Sequence, residues 1–389
     1  MLGKQTLNSS VKVALFVSSV FLGLGVFLPF FPSWLLSRGY TANEVAILLG
    51  VTLVIRVFLS PYAVAVSGGL SQRRYAAYLF CFVSVVSFAA LGYFGSFIAI
   101  LILLGIFSVF WHALIPLGDS FVLSEVRLSG ANYGHIRLWG SVAFIVANLG
   151  AGMFLADLGT NGVFWLILAL LALSFAVSFL LPTYRLDPSE RPTVGSLGLG
   201  RLIVFLKDPQ FLQVAALAGL IQASHVLVYG FGTIDWLARG FSASQIGWFW
   251  AIGVIAEVIL FTQASKLFSK IGATRLLLLG AVAATLRWAL HGSMDSVTLI
   301  LMVQILHGFS FGATHLGLQA YIAKEVSEGE TPAAQGASTF VAGLIAAGLT
   351  FFCGTLYGQF GLQSFYAMAA VSFLAVIFLL STPKLRGRG

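Results

Sequence analysis

Glu257 stands within an apolar run, Gln245 to Phe261, that carries no other charged residue. A carboxylate at the centre of a bilayer costs roughly 2.5 to 3.5 kcal/mol on insertion scales, so it persists there by facing a cavity, a partner charge or a proton path. Arg56, Asp119, Arg137 and Arg287 lie in or at the edge of similar runs. These residue types suit two tasks. A carboxylate that answers to burial and to a nearby arginine can take up and release a proton. An arginine offers a planar fork that grips a carboxylate through two hydrogen bonds. Four histidines, His112, His225, His307 and His315, also fall within apolar runs. An imidazole titrates near neutrality, but a lone membrane histidine is more often a hydrogen-bonded packing residue, the expectation for His112, His225 and His315. No carboxylate sits beside them at ligand spacing, so no metal site is expected, and nothing in the sequence asks for a cofactor.

Helical geometry sets how these groups can be presented. Trp250, Gly253 and Glu257 share one helix face, which puts an aromatic ring and a small residue beside the acid. Asp119 follows Pro116 and Gly118, whose loosened backbone is tolerated at membrane depth where it lines a cavity. Arg56 lies twelve residues past Glu44, about 18 Å down a helix at 1.5 Å per residue. It is too deep to snorkel to either surface, and a buried partner, Glu257 or Asp119, is expected for it. Arg137 sits only a turn or two into its run, so it reads either as an interfacial charge or as the anion grip. For Arg287 a coupling role and a structural pairing are both open.

The elements that must position these groups follow from composition. With 59% apolar and 9% charged residues among 389, the chain cannot make a soluble surface and reads as an integral membrane protein. Apolar runs of about 20 residues mark spans, and twelve are expected, at roughly 12–36, 42–66, 75–94, 97–123, 135–155, 162–181, 209–236, 243–265, 273–292, 296–322, 333–357 and 362–381. Of the 21 Lys and Arg, sixteen lie at the termini or in even-numbered loops, whereas Arg38 and Arg239 fall in odd-numbered ones. The positive-inside rule then places both termini in the cytoplasm. The net charge of +8 reports that topology, and no nucleic-acid partner is expected. The first run has no small-residue cleavage site and reads as an uncleaved span. Cys81 and Cys353 lie far apart inside spans, which suggests packing residues rather than a disulfide.

An internal repeat organises the spans. A shift of 201 positions lays Arg38-Gly39-Tyr40-Thr41-Ala42 on Arg239-Gly240-Phe241-Ser242-Ala243 and sets Arg56 opposite Glu257; a shift of 200 lays Glu125-Val126 on Glu325-Val326. The expected fold is therefore all-α, with twelve transmembrane helices in two pseudo-symmetric six-helix bundles. The expected divisions are 1–181, a cytoplasmic linker at 182–208 rich in Pro, Gly and charge, and 209–389. Two parallel halves with polar groups near the midplane is the plan of carriers that rock one half against the other. A channel would call for rings of pore-lining residues, and an enzyme for a clustered nucleophile and base, a P-loop or a CxxC pair, none of which the sequence holds.

The segment Tyr133-Gly134-His135-Ile136-Arg137-Leu138-Trp139-Gly140-Ser141 resembles the start of the fifth helix in the oligosaccharide and proton symporter branch of the major facilitator superfamily, which includes lactose permease. Within that branch the chain is similar to the bacterial 3-phenylpropionic acid transporters, which it also matches around Gly253 to Val258, at Arg287-Trp288 and at Gln304-Ile305-Leu306-His307. The resemblance implies that Asp119 and Arg137, 18 positions apart, are the substrate-binding carboxylate and arginine, and that Arg287 and His307, 20 apart, belong to the coupling site with Glu257. It departs at Ser310, where lactose permease has the carboxylate that takes the coupling proton, which leaves Glu257 as the first candidate for that task. The loop Ser67 to Arg74 occupies the place of the superfamily's cytoplasmic gating motif without its aspartate, and the copy at 266–275 also lacks an acid.

These readings converge on a monomeric, multi-pass carrier of the bacterial inner membrane whose partners are the bilayer, protons and a small molecule. Composition leaves sugar, nucleoside and aromatic acid almost level as cargo. Trp111, Trp139, Trp250 and Trp288 lie near the candidate charges and suit an aromatic carboxylate, with Trp139 and Trp250 beside Asp119, Arg137 and Glu257 as its expected contacts. The family likeness tips the choice toward import of such an acid, with protonation at Glu257 and the anion held by Arg137. A sugar or nucleoside symporter is the alternative, and a non-transporting sensor on the same fold remains outside that class.

Overall fold

Runs too apolar for water can satisfy their backbone groups in a bilayer only as helices or closed barrels. In the computed structural model, which describes residues 3–66, 70–183, 199–268, 271–327 and 330–381, every regular element is helical. The order is α1 (Gly3–Ser37), α2 (Ala42–Val66), α3 (Leu70–Leu91), α4 (Phe97–Ser129), α5 (Tyr133–Ser178), α6 (Leu199–Lys207), α7 (Pro209–Ala223), a π-helical turn (Val228–Gly232), α8 (Thr233–Ala238), α9 (Ala243–Phe268), α10 (Ala273–His291), α11 (Val297–His307), a second π turn (Gly308–Ala313), α12 (Thr314–Glu325), α13 (Thr331–Phe360), a 3-10 turn (Gly361–Ser364) and α14 (Phe365–Ser381). Residues 184–198 of the expected linker, 67–69 of the first gating-motif loop and 269–270 of its copy lie outside the described residues.

Among the described residues, ten continuous stretches are long and apolar enough to cross a membrane. Two of them are double. The 46 residues of α5 would run about 69 Å, twice the hydrocarbon thickness. They break at Gly159, whose φ of 62° takes the chain out of helix and which falls in the gap expected between the fifth and sixth spans. The stretch Ala333–Ser381 turns at Gly361, at φ 51°. Both positions need the left-handed backbone that glycine adopts freely. Divided there, the ten stretches make twelve crossings.

The described chain forms two compact units, one of residues 1–39 and 51–196, the other of 40–50 and 197–389. In the first, α1 lies close to its neighbours at small residues: a Cβ on Gly25 would meet the Phe144 carbonyl oxygen of α5 at 2.8 Å, and one on Gly23 would meet the Trp111 ring of α4 at 2.7 Å. Small residues allow such approach between membrane helices, where lipid tails leave little hydrophobic drive for association. Phe27, Phe31, Trp34, Phe88, Phe107 and Phe164 interlock as the unit's core, with Trp34 stacked on Phe164 at 5.3 Å. In the second unit α9 meets the turn after α11 in the same way, since a Cβ on Gly308 would stand 2.9 Å from the Ala256 carbonyl oxygen. The segment 40–50 packs on α13, where Asn43 bonds Thr355 at 2.9 Å and Gly354 has no room for a side chain against Ala42.

The internal repeat reappears as matched local structure. Gly39 and Gly240 both take positive φ, 91° and 83°, where one helix turns into the next. Thr41 with Glu44 and Ser242 with Gln245 form reciprocal caps on α2 and α9. Ser96 and Ser296 cap α4 and α11. Arg38 donates to the Phe94 carbonyl and Arg239 to that of Met294. The copies differ one turn earlier, where Arg38 lies over Trp34 and Arg239 pairs with Asp235 at 2.8 Å.

Candidate functional site

Each unit holds a cluster of polar side chains built around candidate residues. In the first, α4 carries Asp119 three residues after Pro116, and α5 carries Arg137 in its second turn after the Asn132 cap. Asp119 Oδ1 lies 3.4 Å from Arg137 Nε, and the two side chains are 34% and 28% exposed. The Tyr133 hydroxyl lies in hydrogen-bonding reach of both, and the guanidinium covers the Phe21 ring at 4.1 Å. The cluster offers an acid, a cation and a phenol over an aromatic face, all partly open. Trp139 is not brought to it. Two positions along a helix turn a side chain about 200°, and Trp139, 57% exposed, points away from the side on which Arg137 meets Asp119.

The second unit holds a longer chain of contacts. Glu257 on α9 approaches His307 at the end of α11, Oε2 to Nε2 at 3.4 Å. Arg287 on α10 donates from Nη1 to His307 Nδ1 at 2.9 Å and to Ser310 Oγ at 3.4 Å, and from Nη2 to Gln304 Oε1. A guanidinium is always a donor, so Nδ1 of His307 must be the acceptor and the ring proton must sit on Nε2, facing Glu257. His307 is thus a neutral bridge between a cation and an acid. Gly253, on the Glu257 face of α9, makes the approach possible, since a Cβ there would stand 3.3 Å from His307 Cβ.

Beneath this chain lies a second histidine. His225 Nδ1 faces the Gln222 carbonyl at 3.1 Å, which makes it the donor, so its Nε2 accepts from the Ser310 hydroxyl at 3.1 Å. Ser310 therefore joins Arg287 to His225. Trp288 closes the floor, with the Arg287 guanidinium 4.4 Å above its ring and its Nε1 donating to Ser224. Trp250 donates to Thr233 at 3.0 Å and stacks on Tyr229. Sequence reading gives His225 as a hydrogen-bonded packing residue, and its bonds agree; its link through Ser310 to Arg287 and the acceptor role of Gln304 escape that reading, because neutral groups are unremarkable in helices until a partner's distance is known.

Arg56 lies in the first unit beside His112; Asp119 in that unit pairs with Arg137, and Glu257 in the other approaches His307. His112 itself is satisfied by the Ser108 carbonyl at 3.0 Å, and His315 lies against Phe261. No group of three metal-ligating side chains occurs among the described residues.

Residues 9–368 match the MFS_1 like family, and the chain is 34% identical over 378 residues to the "Probable 3-phenylpropionic acid transporter" of Escherichia coli (strain K12), covering 96% of this chain and 97% of that one. The chain belongs to the MFS_1-like family. Its fold is that of the major facilitator superfamily: the solved structure of the nucleoside transporter NupG superposes with a TM-score of 0.82 over 96% of this chain and 98% of that one, at 16% identity. The "Putative nucleoside transporter YegT" of the same E. coli strain is 27% identical over 79% of this chain and 74% of its own. This member of the family is a multi-pass membrane protein and a secondary transporter, not an enzyme.

Proposed function

We propose that the protein imports a small aromatic carboxylate such as 3-phenylpropionate together with protons, by alternating access, as a monomer in the bacterial inner membrane with both termini cytoplasmic. The observation that carries this reading is the chain Glu257, His307, Arg287. It sets one titratable acid in series with one buried cation and surrounds them with Trp250, Tyr229 and Trp288. The likeness to the probable 3-phenylpropionic acid transporter of E. coli supports it. Glu257 takes the proton, Arg287 and His307 transmit its charge state, and Asp119, Arg137 and Trp250 contact the substrate. Arg56 places a further positive charge in the membrane part of the first unit, which favours an anion.

A second reading, a sugar or nucleoside symporter, draws on the cluster of Asp119, Arg137 and Tyr133, which suits substrate hydroxyls as well as it suits an acid. Uptake of labelled 3-phenylpropionate into membrane vesicles under an inward proton gradient separates the two. Accumulation in the wild type and its loss in Glu257→Gln supports aromatic-acid import with Glu257 as the coupling acid. No wild-type uptake, together with uptake of a labelled sugar or nucleoside, refutes it.

A further inference from the structure

We propose that Arg287 is the receptor for the substrate carboxylate, and that the anion competes with His307 for the guanidinium. The inference rests on the aromatic-acid reading and deepens it, because Arg137 is the arginine that reading first points to. Arg137 has its charge offset by Asp119 at 3.4 Å. Arg287 is only 3% exposed, yet its acceptors are an imidazole, a hydroxyl and an amide, all neutral, and its Nε has no hydrogen-bond partner among the described residues. The ion pairs made among the described residues do not include it. A buried guanidinium without a counter-charge is strongly unfavourable, and a carboxylate is the group whose geometry best matches its fork.

The surroundings suit the rest of such a molecule. The guanidinium lies over Trp288, Tyr229 is close enough to interact with both Arg287 and Glu257, and Phe311 stacks on His307. An aromatic ring attached to the carboxylate would meet aromatic edges and faces there. Access runs past the bridge, since exposure rises from Arg287 to the His307 and Glu257 side chains, at 12% and 19%. Both π turns, Val228–Gly232 and Gly308–Ala313, flank this route, and widened turns of this kind recur where helices carry function.

Competition for Arg287 also supplies the coupling. A carboxylate that takes Nη1 displaces Nδ1 of His307, and the imidazole no longer holds its Nε2 proton toward Glu257. Glu257 then loses a donor that favours its ionised form and accepts a proton. One anion and one proton enter together.

Binding of labelled 3-phenylpropionate to purified protein in detergent, competed by unlabelled acid and by the neutral isostere 3-phenylpropionamide, tests this. Wild type should prefer acid over amide. Arg287→Gln should lose about 10- to 100-fold in acid affinity, the scale of a hydrogen bond to a charged group, and keep binding the amide, which shows that it is folded. Arg287→Lys should fall between, and Arg137→Gln should keep the acid-over-amide ratio even if both affinities drop. An unchanged ratio in Arg287→Gln, or its collapse in Arg137→Gln alone, overturns the assignment. Absence of wild-type binding to either compound refutes the aromatic-acid reading and the inference with it.

Discussion

If His307 is a neutral bridge, its replacements should rank by hydrogen-bonding pattern and not by charge. Glutamine can accept from Arg287 and donate to Glu257 as the imidazole does. Phenylalanine keeps the ring but does neither, leaving Nη1 and the carboxylate each one partner short. Each such bond to a charged group is worth about 1.5 to 3 kcal/mol. Because the two bonds share one network they do not add fully, so about 3 kcal/mol, or roughly 100-fold, is expected. Lysine is the decisive variant. An ammonium placed where Nδ1 now lies, 2.9 Å from Nη1, would repel Arg287 by about 6 kcal/mol at an effective dielectric of 20. Side-chain movement reduces that figure without changing its sign. Initial rates of gradient-driven 3-phenylpropionate uptake in vesicles, at matched membrane levels of protein, should therefore keep His307→Gln within about tenfold of wild type. His307→Phe should lie well below it and His307→Lys at or below His307→Phe. Uptake by His307→Lys equal to that of His307→Gln would refute the tautomer argument and make His307 a cation in the working state.

Two further outcomes follow from packing and from charge balance. Gly308→Ala puts a Cβ 2.9 Å from the Ala256 carbonyl oxygen and should destabilise by about 1 to 3 kcal/mol, read as a lowered melting temperature in detergent; Gly358→Ala, with no atom within 4 Å of the new methyl, should melt at or above wild type, since alanine is the better helix former by up to about 1 kcal/mol. One proton carried with one monovalent anion moves no net charge, so uptake should follow an imposed pH gradient and stay unchanged when a potassium diffusion potential is set with valinomycin; potential-driven accumulation at equal pH would require more than one proton per anion.

Much of the fold could be read along the chain because a bilayer imposes its thickness on every span. The expected boundaries near 155 and 362 coincide with turns at Gly159 and Gly361 even though the helices on either side run nearly continuously. The pairs Asp119 with Arg137 and Arg287 with His307, taken from family resemblance, are brought together. The neighbour that Arg56 finds in its own unit, His112, was not legible, because span position gives depth but not which neighbouring helix stands at that depth. Trp139 was chosen for its closeness to Arg137 in number, and helical rotation carries it to the other side. The two π turns were equally hidden. In the second, Gly308 and Gly312 seat closely against Ala256 and Leu260, a tertiary condition with no local sequence signal.

The repeat explains why the two units share their ends and not their middles. The Arg-Gly turns, the reciprocal caps and the arginine bonds to a distant carbonyl recur almost atom for atom. They solve the problem of ending a helix and turning at a membrane surface, which is the same in both halves. At the level where Arg56 answers Glu257 that constraint is gone, and the halves have taken opposite charges. In the second unit the acid acquired His307 and through it Arg287; in the first, Asp119 is closed onto Arg137 and the deep cation is left to Arg56. A proton carrier needs an acid whose donor can be withdrawn, and the carboxylate with a neutral bridge to a buried cation meets that requirement better than one held directly by an arginine. On these grounds the proposed function would set the coupling chemistry in the second unit and give the Asp119 cluster the task of recognition.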